Sequence, residues 1–132
     1  MPLRWIALLA AAAALATGGL VAHRIDLRRQ RVELARNLTG GDPDRAPALM
    51  IGHGCAGCHE IPGLAGPRGR VGPPLGSVAE RVYIGGVVTN TPENLVRWIV
   101  DPRALDPRTA MPVTGISEAQ ARDIAAYLYA HR

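Results

Sequence analysis

The two cysteines of the chain and one histidine stand close enough together to hold a single group. Cys55 and Cys58 are separated by two residues, and His59 follows directly. On a helical turn, positions i and i+3 lie on one face, so both thiols can form thioether bonds to one macrocycle while the next imidazole reaches a metal at its centre. A Cys-x-x-Cys-His run is the attachment pattern of c-type haem. The sequence therefore predicts one covalently bound haem c with His59 as an iron ligand.

Other uses of the cysteine pair fit the sequence less well. A zinc site needs further paired ligands, and the sequence has no second Cys pair and no suitably spaced His pair. A redox-active dithiol belongs in a strand-rich βαβ setting, which the Gly- and Pro-rich residues after His59 do not indicate. A structural disulfide at this short spacing would close too small a loop to constrain the chain much. A dithiol oxidoreductase stays as the alternative.

A second iron ligand has to come from a distant part of the chain in order to reach the other face of the ring. Met111 lies in a Pro-rich segment between two predicted helices, and its thioether is a soft, neutral ligand that raises the reduction potential. Met50 directly precedes the cysteines and Met1 is in the N-terminal segment, so neither is well placed. His53 and His131 remain as alternative ligands.

The N-terminal residues are suited to a membrane. The stretch from Trp5 to Ala22 carries no charge and follows Arg4, a length that fits either a membrane-spanning helix or a secretory signal. Ala14-Leu15-Ala16 matches the small-residue cleavage pattern, whereas the apolar run continues beyond it. We expect residues 1–22 to be an uncleaved anchor, with a cleaved signal as the alternative, and both export the remainder.

The positive charge is confined to the N-terminal part of the chain. All 15 basic residues are Arg, and residues 1–36 carry six of them against two acidic residues, an excess of four. From Asp42 onward, nine Arg are balanced by nine acidic residues. A nucleic-acid-binding domain would need a basic face, so nucleic acid is not an expected partner. The Arg cluster is interpreted as a helix surface that faces solvent or lipid headgroups.

The composition predicts an all-α domain over residues 42–132, preceded by a polar helical extension and linker at 23–41. No strand-like alternation is sustained, and residues 60–80 are so rich in Gly and Pro that they predict an irregular loop. The chain has no Phe and only two Trp, so a bound macrocycle would supply aromatic area that the core lacks.

Three helices are predicted in this domain from their capping residues and apolar faces. They are a short helix over 42–51 with Asp42 as its N-cap, a helix capped by Thr91 and stopped at Asp101-Pro102, and a last helix that starts at a Ser117/Gln120 capping box and buries Ala121, Ile124, Ala125 and Leu128.

The order of several motifs resembles class I monohaem cytochrome c. These motifs are Cys55–His59, Gly72-Pro73-Pro74-Leu75, Met111-Pro112 and Ala126-Tyr127-Leu128. Others are similar to the cytochrome c domain fused to subunit II of some bacterial haem-copper oxidases and to small membrane-anchored relatives, namely Tyr83-Ile84-Gly85-Gly86, Asn90–Leu95, Trp98 and Asp101-Pro102. The resemblance covers residues 42–131 and implies the cytochrome c fold, few helices and long loops around one haem.

The resemblance also implies roles for residues that the spacing alone does not explain. The Pro73 carbonyl should accept a hydrogen bond from the His59 imidazole, a contact that orients a ligating histidine. Arg81, Tyr83 and Trp98 become candidates to bind the haem propionates, because each offers a donor. Trp98 is equally suited to the core and Arg81 to the surface.

The implied function is one-electron transfer between membrane respiratory complexes, on the inner membrane of a bacterium with the haem domain in the periplasm. His59 and Met111 would fill both axial positions, so we expect a carrier rather than an enzyme. The resemblance also implies that this carrier donates electrons to a terminal oxidase, as a subunit of its complex. If Met111 does not bind iron, the alternative is a haem-based gas or peroxide sensor or catalyst. The chain has no Lys, unlike mitochondrial-type carriers that dock electrostatically; tethering near its partners would compensate.

Overall fold

The computed structural model describes residues 2–66 and 69–131. Its contacts divide the chain into two compact units, one up to Gln30 and one from Arg31 onward. The described residues are mostly helical, with four α-helices, α1 Pro2–Thr39, α2 Ala46–Gly52, α3 Pro92–Val100 and α4 Glu118–Ala130. Short 3₁₀ turns cover Cys55–Gly57, Val78–Glu80 and Pro102–Ala104, and a hairpin pairs β1 Tyr83–Ile84 with β2 Val88–Thr89.

The first unit is the N-terminal part of α1. Within the described residues, α1 is long and apolar enough to cross a membrane, and none of its most apolar window is buried. Length and composition alone carry this observation, and a signal sequence has the same properties. An apolar N-terminal helix is therefore present, suited to either a membrane anchor or a signal sequence.

The end of α1 belongs to the second unit and is joined to α4 by a hydrogen bond. Thr39 is 1% exposed, and its carbonyl accepts a hydrogen bond of 3.0 Å from Arg122 Nη1. The next segment is held in the same way, because the Asp42 amide donates to Asp123 Oδ1 at 2.7 Å. The compact unit thus begins at Arg31, within the stretch for which the sequence predicts an extension and linker.

Helix α2 begins later than the sequence predicts. The Asp42 carboxylate accepts a hydrogen bond from the Asp44 amide at 3.2 Å, and the helix starts only at Ala46, with Arg45 in the N-cap position and no side-chain cap. Asp residues commonly bond the amide two positions on, in a turn that competes with helix capping. The prediction of Asp42 as the N-cap was wrong for this reason.

The caps predicted for the other two helices are confirmed. Thr91 Oγ1 accepts a hydrogen bond from the Asn94 amide at 3.2 Å at the start of α3. At the start of α4, Ser117 and Gln120 bond each other's backbone amides, which is a complete capping box. These bonds satisfy amides that the first turn of a helix leaves without partners.

The core of the second unit lies where α2 and α3 pack on α4. The four residues predicted as the buried face of α4, Ala121, Ile124, Ala125 and Leu128, are all at most 3% exposed. The α2 and α3 helices contribute Ala46, Met50, Leu95, Val96 and Ile99. Cys55, Leu75 and Trp98 are partly buried against this cluster, so the core also supports the segments that carry the predicted site.

The β1–β2 hairpin is a feature that the sequence analysis missed. Its turn contains Gly85 and Gly86, whose φ angles are +58° and +76°. Two consecutive positive φ values suit the tight turn that joins two antiparallel strands. Each strand is only two residues long, too short for any visible alternation, so the Gly-Gly pair was the available signal.

Candidate haem-binding site

The two cysteines and His59 lie on one tight turn. Cys58 and His59 both donate their amides to the Cys55 carbonyl, at 3.2 and 2.9 Å, which closes the 3₁₀ turn over Cys55–Gly57. Both thiols are free and partly buried, and burial raises the pKa of the Cys55 thiol. The spacing of the motif therefore places its three reactive residues on one turn.

The His59 ring is oriented by the loop that follows it. Its Nδ1 atom lies 2.8 Å from the Pro73 carbonyl oxygen. A carbonyl can only accept, so the proton is on Nδ1 and the Nε2 lone pair remains available to a metal. This is the hydrogen bond that the resemblance implied for Pro73.

Gly72 allows the loop to pass directly against this ring. A Cβ at Gly72 would lie 2.3 Å from His59 Cε1 and 2.6 Å from its Nδ1, distances at which no side chain fits. The Gly72 amide also donates to the Cys58 carbonyl at 2.8 Å. A glycine is therefore required for the Pro73 carbonyl to reach the imidazole.

Gly69 is a residue of this site that the sequence analysis missed. Its amide donates to the Ala56 carbonyl at 3.1 Å, and a Cβ there would lie 2.4 Å from the backbone carbon of Cys58. The loop thus contacts the cysteine turn at two glycines, Gly69 and Gly72, whose amides bond the Ala56 and Cys58 carbonyls. Nothing in the sequence separates Gly69 from the other glycines of a Gly-rich loop, since the close approach is tertiary.

Met111 lies on the loop between the Pro102–Ala104 turn and α4. Its side chain is partly buried, and its amide donates to Thr109 Oγ1 at 3.2 Å. The two histidines of the alternative ligand set have carbonyl partners: His53 Nδ1 lies 3.1 Å from the Thr114 oxygen, and His131 Nδ1 lies 2.9 Å from the Tyr127 oxygen.

Arg81 lies next to the loop that orients His59. Its Nη2 atom donates to the Pro74 carbonyl and, at 3.4 Å, to the Gly76 carbonyl. The guanidinium therefore supports the backbone directly after Pro73. Its predicted role toward a haem propionate stays a prediction.

Asn90 holds the backbone around Arg81 and was given no role in the sequence analysis. Its Nδ2 donates to the Val78 and Arg81 carbonyls at 2.7 and 2.9 Å, and its Oδ1 accepts from the Tyr129 hydroxyl at 2.8 Å. Burial, with a smaller contribution from Glu93, raises the pKa of Tyr129 to about 12. The amide thus links α4 to the segment that supports the His59 loop.

The other two candidate propionate donors lie at the hairpin. Tyr83 is in β1 with its side chain 56% exposed. Trp98 is partly buried on α3 and passes under the hairpin turn, where a Cβ at Gly85 would lie 2.3 Å from the indole ring. Trp98 thus contributes to the core, and a further role of either residue toward the haem stays a prediction.

The donor set fits a covalent haem. Two thiols lie on one turn, an imidazole presents Nε2 because Nδ1 is bonded to Pro73, and a thioether is available on a later loop. Soft sulfur and imidazole donors in this combination are those that haem proteins of the c type use. Gly72 provides the close approach that this arrangement requires.

The comparison with known families agrees with this geometry. The cytochrome c family model matches residues 43–131. The chain belongs to the cytochrome c family. Its mostly helical cytochrome c domain follows a long apolar N-terminal helix, and membership points to a haem-based electron carrier with Cys55 and Cys58 as a matching pair for haem c.

One relative of this cytochrome c is a subunit of a larger enzyme. The cytochrome c oxidase subunit 2 of Alkalihalophilus pseudofirmus is 36% identical over 75 residues, which cover 56% of this chain and 21% of the relative. The chain thus spans about a fifth of that protein's length. The similarity supports a cytochrome c domain of the type found in oxidase subunits.

Proposed function

We propose that this cytochrome c carries one electron at a time between membrane respiratory complexes, on one haem attached through Cys55 and Cys58. The observation that carries the proposal is the hydrogen bond of 2.8 Å between His59 Nδ1 and the Pro73 carbonyl, beside the cysteine turn. A metal-binding histidine needs its second ring nitrogen engaged in this way, because the bond fixes the tautomer and raises the basicity of the ligand.

Each residue of the site has a defined task in this proposal. Cys55 and Cys58 would hold the ring covalently, His59 would bind the iron through Nε2, and the Met111 thioether would be the second iron ligand. When bound, haem c supplies an iron that accepts and releases one electron. With His59 and Met111 both holding the iron, no position would be left for a substrate, and the protein would act as a carrier rather than an enzyme.

We assign the N-terminal residues 1–22 to a bacterial inner-membrane anchor and the haem domain to the periplasm. The exposed apolar helix supports the anchor, and the similarity to an oxidase subunit supports a terminal oxidase as the electron acceptor. With nine Arg and nine acidic residues from Asp42 onward, the domain has little net charge to steer a soluble shuttle. Membrane attachment supplies a high local concentration instead.

The test of the haem site uses optical spectra of the full chain, expressed in a host with a cytochrome c maturation system. The variants are Met111→Ala and, as a control on the same loop, the exposed neighbour Val113→Ala. We expect low-spin covalent haem in the parent and in the control, and high-spin haem that binds carbon monoxide in Met111→Ala. A high-spin parent would favour the sensor or catalyst alternative, and the absence of covalent haem would refute the proposal.

The proposed acceptor is tested separately by reconstitution. The reduced full chain and a purified haem-copper oxidase are placed in the same liposomes or in separate ones, and reoxidation of the haem is followed after oxygen is added. We expect faster reoxidation when both proteins share a membrane. Equal rates in the two arrangements would contradict a tethered donor to this class of oxidase.

A further inference from the structure

The segment that carries Met111 has little backbone support of its own. Among the described residues, 110–116 take part in no backbone–backbone hydrogen bond, since the turn before them ends with the Thr109 amide and the bonds of α4 begin at the Ser117 carbonyl. The Met111 amide bonds only the nearby Thr109 hydroxyl, at 3.2 Å. Contacts from elsewhere in the domain must therefore set the position of this loop.

His53 supplies such a contact from the end of α2. Its Nδ1 atom lies 3.1 Å from the Thr114 carbonyl oxygen, across 61 residues of sequence. Since a carbonyl can only accept, His53 is the donor. Thr114 is three residues beyond Met111 and His53 is two residues before Cys55, so this single bond joins the ligand loop to the cysteine turn.

The backbone of His53 is itself held firmly. It ends α2, where its amide donates to the Leu49 carbonyl at 2.9 Å. Gly54 follows with φ +75° and donates to the Ile51 carbonyl at 3.1 Å. The ring of His53 is therefore presented from a fixed helix end to a loop that lacks such support.

We propose that His53 is a positioning residue that holds the Met111 loop in place and slows dissociation of the Met111 thioether from the iron. The inference rests on the proposed function, which assigns Met111 to the iron. His53 acts through the Thr114 backbone and needs no contact with the haem. Its effect should therefore appear in the lifetime of the iron–sulfur bond, and not in haem attachment.

The experiment measures how fast cyanide binds to the ferric, full-length holoprotein. Cyanide needs the position that Met111 occupies, so its binding rate reports how often the thioether leaves. His53→Ala removes the donor, His53→Leu removes it while filling more of the space, and His53→Asn keeps an N–H donor. The matched control is His131→Ala, because His131 also bonds a carbonyl through Nδ1, at 2.9 Å, but within its own helix end.

We expect cyanide binding to be roughly two- to tenfold faster in His53→Ala and His53→Leu, the range that corresponds to one lost hydrogen bond. His53→Asn and His131→Ala should stay near the parent rate. The weak charge-transfer band of the ferric iron–thioether bond should be visible in the parent. On warming, this band should fade at a lower temperature in the two donor-free variants than in the parent.

Three results would overturn the inference. The first is a parent-like rate of cyanide binding in both donor-free variants. The second is an equal acceleration in His131→Ala, which would indicate a general loosening of the domain. The third is a His53→Asn rate as fast as that of His53→Ala, which would exclude the hydrogen bond as the cause. A different result would refute the proposed function instead: a parent without the iron–thioether band that binds cyanide as fast as Met111→Ala does not use Met111 as a ligand.

Discussion

Replacing Gly72 by alanine should disturb the His59 ligand specifically. The new Cβ would lie 2.3 Å from His59 Cε1, whereas carbon atoms in favourable contact are about 3.5–4.0 Å apart. The ring or the loop therefore has to move by about 1 Å. Such a shift would stretch the bond of 2.8 Å between His59 Nδ1 and Pro73 beyond the range of a good hydrogen bond.

The cost of this change follows from two contributions. Overpacking typically destabilises by about 1–3 kcal/mol, and a lost hydrogen bond by about 0.5–1.5 kcal/mol. We expect the free energy of unfolding of the holoprotein to fall by about 2–4 kcal/mol, which lowers the midpoint of thermal unfolding by on the order of 10–20 °C for a domain of this size. The reduction potential should rise, because an imidazole without the Pro73 bond is a weaker donor to ferric iron.

The matched control is Gly76→Ala in the same loop. A Cβ at Gly76 would meet no atom within 4 Å, so this variant should be neutral or more stable by about 0.4–1 kcal/mol. Denaturant unfolding followed by circular dichroism and by haem absorbance, with redox titration, measures both variants. If Gly72→Ala matched Gly76→Ala in stability and potential, the close approach of the loop to His59 would not matter and the reasoning would fail.

Three further predictions concern the surroundings of the site. Thr91→Ala removes the cap on the Asn94 amide and should lower the free energy of unfolding by about 1 kcal/mol in denaturant titrations. Gly69→Ala places a Cβ 2.4 Å from the Cys58 backbone and should reduce the ratio of covalent haem to protein after expression. Tyr129→Phe should remove the phenol ionisation with a pKa of about 12 from an alkaline absorbance titration.

The raised pKa of Tyr129 also predicts how the stability of the protein depends on pH. The folded state raises the pKa of this phenol above its unfolded value of about 10, so folding favours the protonated form. The contribution of the protonated phenol to the free energy of unfolding is complete below about pH 10. It is lost as the pH rises toward 12. Stability should therefore fall less steeply across this range in Tyr129→Phe than in the parent, and parallel curves would contradict the assignment.

Specific results would also contradict the predictions for Thr91→Ala and Gly69→Ala. A Thr91→Ala protein with unchanged denaturant midpoint would mean that water replaces the cap at no cost. Gly69→Ala with a full complement of covalent haem would mean that the loop can leave the cysteine turn without effect, and Gly76→Ala is again the matched control.

Local sequence signals predicted the elements whose bonds are local. Thr91 and Ser117 cap their helices because each needs only an amide three residues away, and the motif at Cys55 and Cys58 forms within one turn. The error at Asp42 has the same origin, because the Asp42 carboxylate can either cap a helix or accept a hydrogen bond from the Asp44 amide in a turn. Both bonds are local, and the sequence does not show which one forms.

The parts of the site that sequence reasoning missed depend on contacts between distant segments. Gly69 and Gly72 matter because a loop passes against the cysteine turn and the His59 ring, and Asn90 matters because its partners include Tyr129 on α4. Composition alone cannot distinguish these residues from other loop residues. The family resemblance named the Pro73 carbonyl, but the reason that the residue before it must be glycine is visible only in three dimensions.

The hydrogen bond between Arg122 of α4 and the end of α1 affects where a fragment that contains the second unit should begin. A fragment that starts at Arg31 retains the buried Ala35 and Thr39 side chains, each 1% exposed, and the bond from Arg122 to the Thr39 carbonyl. One that starts at residue 42 lacks both of these residues and leaves Arg122 without this acceptor. For biophysical work on the second unit alone, the boundary belongs within the helix and not at the glycines that follow it.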